Sequence, residues 1–220
     1  MKYYPVFLDI SGKTCLVVGG GKVGARKAKG LLAAGASVRV VSLEFDRALS
    51  EPCLSGIHKQ QKAFEPDDLN GVSLVFAATD NMALNTEVRN ACHRSGILCN
   101  IADGMDKGDF ILPAVVDRGD LQVAVSTGGA SPAFARQLRM ELEGMFGPEY
   151  TSMLTLMANV RKVLLDRGHD PEGHKTIFRT LAQAGLPALI ANGEIKDIDT
   201  LLTELLGEGF TYERLAGQAI

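Results

Sequence analysis

The chain has 220 residues, of which 46% are hydrophobic and 22% charged, so it holds enough apolar material for a sizeable core and is not a disordered chain. Its 23 Lys and Arg stand against 26 Asp and Glu, a formal net charge of −3, which argues against general nucleic-acid affinity. No apolar run approaches the roughly 20 residues of a membrane span, and the opening MKYYPVFLDISGK is not expected to act as an export leader.

In chain order, Thr14–Val18 is a short β-rich run that breaks into Gly19-Gly20-Gly21. From Lys22 to Ala34 the residues Val23, Ala28, Leu31 and Leu32 share a helical face, and Gly35 is placed to close that helix. Ser37–Val41 reads as a second strand and Val72–Ala77 as another, buried one. After it, Asp80 or Asn81 can cap a helix from Met82 to Arg94, which Gly96 ends before a strand at Ile97–Ile101. Strands alternating with helices of this length predict a parallel sheet with crossover helices on its faces.

Past Asp103 the pattern changes. Phe110–Val116 and Leu121–Ser126 are apolar runs around the turn Asp117-Arg118-Gly119-Asp120, either a hairpin or two strands extending the sheet. Ser131 then reads as an N-cap and Pro132 as the first residue of a helix to Met145. Gly147-Pro148 breaks the chain, and 149–220 reads as helical throughout, with apolar stripes at Met153, Leu156, Met157, Val160, Leu164 and at Leu201, Leu202, Leu205, Leu206. The expected fold is therefore α/β: a Rossmann-type doubly wound sheet over 1–113, a small α+β region over 114–148, and a helical region over 149–220.

Cys15, Cys53, Cys92 and Cys99 form no CxxC pair, and no histidine lies at ligand spacing from them. Cys15 opens an apolar run and Cys99 closes one, where a thiol acts as a small hydrophobe. The expectation is a reduced, cytoplasmic protein with neither a disulfide framework nor a metal site. His169 and His174 fall in a polar stretch read as an exposed loop.

Gly19-x-Gly21-x-x-Gly24 sits between a predicted strand and a predicted helix. There the first glycine serves the tight turn, the second lets backbone N–H groups reach a pyrophosphate, and the third lets helix and strand pack closely. The helix N-terminus adds its partial positive charge. Glu44 lies about 20 residues past Gly24, just after the second strand, where a carboxylate accepts from a ribose 2′-OH and favours NAD. Glu44 can equally be a solvated surface residue, and Arg47 nearby keeps NADP open.

These residues carry a family likeness. It runs through Tyr4-Pro5-Val6-Phe7, the stretch Cys15 to Lys27, Phe76-Ala77-Ala78-Thr79-Asp80 and Cys99-Asn100-Ile101-Ala102-Asp103. It continues in Phe110-Ile111-Leu112-Pro113-Ala114, Asp117 to Leu121 and Val125 to Pro132. In this order they resemble the precorrin-2 dehydrogenase/sirohydrochlorin ferrochelatase family, the N-terminal module of sirohaem synthase and its stand-alone relatives. The likeness covers about residues 3–145 and is weaker beyond.

The resemblance implies that NAD+ oxidises precorrin-2, a tetrapyrrole rich in carboxylates, to sirohydrochlorin, and that some members then insert ferrous iron. It implies a homodimer built through 114–148, with methylation of the precursor left to another protein. It places NAD on Gly19, Gly21, Lys22, Val23 and Gly24 and on Leu43 and Glu44. Thr79 and Asp80 follow a later strand at the carboxyl edge of the sheet, where ligands of open α/β sheets sit; they serve the cofactor or merely turn the chain into a helix.

Asp103 follows Asn100-Ile101-Ala102 and matches the family's essential aspartate. As a general base it would take the proton released on oxidation, and the pyrrole N–H protons on metal insertion; otherwise it caps the turn from Gly104 to Gly108. Asp106 and Asp109 read as solvated loop residues that blur a single-base assignment. Ser126, Thr127, Gly128 and Ser131 form a corner that binds a carboxylate or phosphate, caps a helix, or does both. Arg118, Arg136 and Arg139 can pair with substrate carboxylates or remain surface charges. The reading from another functional class is a non-enzymatic NAD-sensing module, which leaves Asp103 and the Gly-Gly-Ala-Ser-Pro corner without purpose.

Overall fold

The computed structural model describes residues 2–102, 108–168 and 171–216. It forms two compact units, Met1–Leu112 and Pro113–Ile220.

In the first unit, β1 (Thr14–Val18), β2 (Ser37–Ser42), β3 (His58–Gln61), β4 (Leu74–Ala77) and β5 (Leu98–Ile101) make a five-stranded parallel sheet in the order β3-β2-β1-β4-β5. Helix α1 (Lys22–Ala33) links β1 to β2, and α2 (Met82–Arg94) links β4 to β5. Because side chains alternate along a strand, Cys15 and Val17 pack with Ala25, Ala28 and Leu31 of α1 on one face. Leu16 and Val18 pack with Val88, Ala91 and Cys92 of α2 on the other. Strands buried on both faces read as continuous apolar runs, which is why β1 and β4 are plain in the sequence.

The doubly wound α/β architecture is as expected, and α2 has the expected limits. The capping choice falls on Asn81, whose side chain accepts from Ala83 N and Leu84 N at 3.0 and 3.1 Å, leaving Asp80 exposed. Strand β3 was not foreseen. Its sequence, His-Lys-Gln-Gln, is a polar edge strand recognisable only by its pairing with β2.

In the second unit, β6 (Ala114–Arg118) and β7 (Leu121–Val125) pair antiparallel as a separate two-stranded hairpin, turning at Gly119 with φ +70°. The hairpin alternative thus holds, but residues 110–113 are not strand: Phe110 packs back onto the first unit's core instead. Helix α3 (Pro132–Met145) begins at Ser131, whose hydroxyl accepts from Phe134 N at 3.2 Å. The tail comprises α4 (Glu149–Asp166), α5 (Pro171–Gln183), α6 (Leu186–Asn192), α7 (Ile195–Leu206) and α8 (Tyr212–Ala216) around a core of Leu156, Val160, Leu181, Ile198 and Leu202. Buried Asn159 ties α4 to α8 by donating to Leu215 O at 2.7 Å. His174 is half-buried within α5 rather than in an exposed loop, because that polar stretch still carries the helix's inward face through Ile177 and Phe178. His169 lies outside the described residues.

Candidate functional site

The topological switch point of the sheet falls between β1 and β4, and the glycine loop leaves β1 at its carboxyl end. Gly19 has φ +118°, and a Cβ there would lie 2.5 Å from Ala78 O in the chain leaving β4. At Gly24 a Cβ would lie 2.0 Å from Gly19 O, so the helix can sit this close to the loop only without one. Gly20, which the sequence pattern treats as free, is equally confined: its Cβ would meet Glu44 O at 2.2 Å.

Gly21 differs from all three. It is the N-cap of α1, and a Cβ there meets nothing within 4 Å. Among the described residues no side chain caps α1, and no acidic residue occupies its first turn. Most helices satisfy their first N–H groups with a Ser, Asp or Asn. Here that end is left to be satisfied from outside, with open space in front, which fits a phosphate group. Lys22 is exposed beside it, and Val23 is half-buried against the α1 face of the core.

At the end of β2, Leu43 is 66% exposed and Glu44 is exposed. Leu43 O accepts from Gln61 Nε2 at 3.1 Å, so β3 holds this corner. The nearby Asp46 accepts from Ala48 N at 2.9 Å and caps the short 3-10 turn Arg47–Ser50, while its own N–H donates to Gly20 O at 2.8 Å. Glu44 is therefore the carboxylate at this strand end with no such backbone duty.

After β4, Thr79 is held by Asn85, a fully buried polar residue of α2 that sequence reasoning missed. The Thr79 hydroxyl donates to Asn85 Oδ1 at 2.7 Å, and Asn85 Nδ2 donates to Thr79 O at 2.9 Å. The signal available beforehand was an Asn interrupting the apolar face of α2. Thr79 and Gly19 are thereby fixed side by side at the switch point, and Asp80 stands exposed next to them.

Asp103 and Asp106 lie outside the described residues. The strand leading to Asp103 is anchored, since Ala102 N donates to Ala77 O at 2.9 Å. Deeper in β5, Cys99 is fully buried beside the equally buried Cys92 of α2, and that neighbouring thiol and burial push the Cys99 thiol up.

In the second unit, Thr127 Oγ1 donates to Ser131 O at 3.0 Å and accepts from Ser131 N at 3.1 Å, and Ser126 Oγ accepts from Gly128 N at 3.1 Å. The corner is thus a backbone-closed turn leading into the α3 cap. Arg118 donates from Nε to Phe146 O at 2.7 Å, with further bonds to Glu143 O and Asp117 O, so its guanidinium closes the C-terminus of α3. Arg139 pairs with Glu143 one turn on, whereas Arg136 is exposed.

A family model described as putative NAD(P)-binding matches residues 6–114, and one for the central part of sirohaem biosynthesis proteins matches 118–145. The siroheme synthase of Methylococcus capsulatus is 36% identical over 217 residues, covering 98% of this chain and 46% of that protein. The siroheme synthase of Nitrosomonas eutropha is 38% identical over 210 residues, covering 94% and 44%. The chain thus spans about half the length of the curated relatives it matches. A solved structure titled SirC, precorrin-2 dehydrogenase superposes with a TM-score of 0.75 at 24% identity, covering 92% of this chain and 98% of that one, and shows the same fold.

Proposed function

We propose, since this chain belongs to the family of precorrin-2 dehydrogenases and sirohydrochlorin ferrochelatases that includes the N-terminal part of sirohaem synthase, that it oxidises precorrin-2 to sirohydrochlorin with NAD+. The observation that carries this reading is the uncapped N-terminus of α1, with open space at Gly21 between the confined Gly19 and Gly24. When bound, NAD+ supplies the acceptor for the electron pair leaving the substrate.

The protein's own residues divide the remaining work. Backbone N–H groups from Gly21 to Val23 hold the pyrophosphate, Leu43 and Glu44 take the adenosine ribose, and Thr79 and Asp80 border the cofactor at the switch point. As the electron pair leaves precorrin-2, Asp103 takes up the accompanying proton. Substrate carboxylates are met by Arg136 and by the corner Ser126, Thr127, Gly128 and Ser131 at the start of α3, while Arg118 closes the far end of that helix. Insertion of ferrous iron into sirohydrochlorin is a second step of the same reading, with iron as substrate and Asp103 receiving the pyrrole protons. The protein works as a homodimer through 114–148, supported by the exposed apolar side chains of α3, and the cytoplasmic location expected from the cysteine spacing belongs to the same reading.

The test is direct. Purified protein incubated with precorrin-2 and NAD+ should convert the substrate chromophore to that of sirohydrochlorin as reduced nicotinamide accumulates. Binding of NAD+ without any conversion would instead favour a sensing module.

A further inference from the structure

Strand β5 is an edge of the sheet, so Cys99 faces outward with a backbone N–H and C=O that β4 does not use. Both are satisfied by one residue. Asp109 N donates to Cys99 O at 2.8 Å, and the Asp109 carboxylate accepts from Cys99 N at 2.8 Å. Next to it, Asn100 Nδ2 donates to Phe110 O at 2.8 Å, and the Phe110 ring stands edge-on to Phe76 with centroids 5.5 Å apart. Gly108 lets the returning chain approach, since a Cβ there would lie 3.1 Å from both Cys99 O and Ile101 N. The chain that leaves β5 at Ala102 is thus brought back at Gly108 and fastened against the same strand.

We infer that Asp109 is a positioning residue, which fixes the returning end of the chain after Asp103 by clamping it to Cys99, and that it is not a second proton acceptor. The inference rests on Asp103 being the base of the proposed reaction. Two facts support it. The carboxylate and the N–H of Asp109 are both engaged with the backbone of Cys99. That strand residue sits two residues, roughly 7 Å, short of the carboxyl end of β5, away from the edge where ligands of such sheets bind.

The experiment compares Asp109→Ala, Asp109→Asn and Asp103→Asn with the unaltered full chain, reading backbone amide exchange at Cys99 and the pH profile of precorrin-2 oxidation. An asparagine oxygen can still accept from Cys99 N, so Asp109→Asn should keep that amide protected and oxidise within about threefold of the unaltered protein. Asp109→Ala should exchange the Cys99 amide at least about tenfold faster. Its turnover should fall about 10- to 100-fold through misplacement of the base, with the ionisation seen in the pH profile unmoved. Asp103→Asn should lose that ionisation.

Unchanged Cys99 exchange in Asp109→Ala overturns the clamp. Asp109→Asn as slow as Asp109→Ala, with the amide still protected, overturns the positioning role and makes the carboxylate a chemical participant. If the unaltered protein does not oxidise precorrin-2, the proposed reaction fails, and the amide-exchange comparison still decides the clamp.

Discussion

The four glycines from the end of β1 into the first turn of α1 look alike in the sequence and face opposite constraints in space. Gly19, Gly20 and Gly24 are glycine because backbone oxygens lie where a Cβ would go, whereas Gly21 borders empty space. Gly24→Ala should therefore lower stability by about 2 kcal/mol or more, as overpacking against rigid backbone does, read as a drop in the urea midpoint. Gly21→Asp should fold normally and lose NAD+ binding, because its carboxylate fills and repels the place of the pyrophosphate. Unchanged NAD+ affinity in that variant would remove the cofactor from this loop. At Asp103, replacement by Asn keeps size but removes the proposed base, and losing a general base costs on the order of 10² to 10⁴ in rate. Oxidation within a few-fold of normal in Asp103→Asn would leave that residue a turn cap.

Cys92 on α2 and Cys99 on β5 lie together in one buried cluster. The neighbouring Cys92 thiol and burial raise the Cys99 thiol, and burial raises Cys15 in β1. A raised thiol means the folded chain holds the proton more tightly than the unfolded one, where a thiol ionises near about pH 8.5. The stability from these protonated thiols is fully present below that pH and declines as pH rises above it. The urea midpoint should fall between pH 8 and pH 10, and less steeply in Cys99→Ala. Parallel pH dependences in the two proteins would show that Cys99 contributes nothing to the alkaline loss.

Helix α3 buries only Ala135, while Phe134, Met140 and Met145 are 58%, 52% and 66% exposed. Large apolar side chains exposed on one helix are what the proposed dimer would cover. The protein should sediment at twice the monomer mass at micromolar concentration, and Phe134→Glu should shift it toward monomer. A monomer at that concentration would refute the dimer built through 114–148.

Buried elements announce themselves locally. Strands β1 and β4 are apolar on both faces, α1 and α2 repeat their apolar residues at helical spacing, and Ser131-Pro132 writes a helix start in two residues. The glycine spacing and a cap for α2 at Asp80 or Asn81 likewise need no distant partner to be read, though only the structure chooses Asn81. Elements defined by their neighbours stayed hidden. The polar β3 exists because β2 pairs with it, and Asn85 is a buried anchor because the loop after β4 comes to it. Asp46 and Glu44 stand two residues apart as equal carboxylates, and only the fold gives one to a 3-10 turn and leaves the other exposed. Asp109 is the exposed loop residue that its sequence suggests, and it bonds the backbone of Cys99 only because the chain doubles back along an edge strand. Propensity and periodicity act over a few residues and so are written locally. A hydrogen bond between residues far apart in the chain is decided only when the tertiary structure brings its donor and acceptor together.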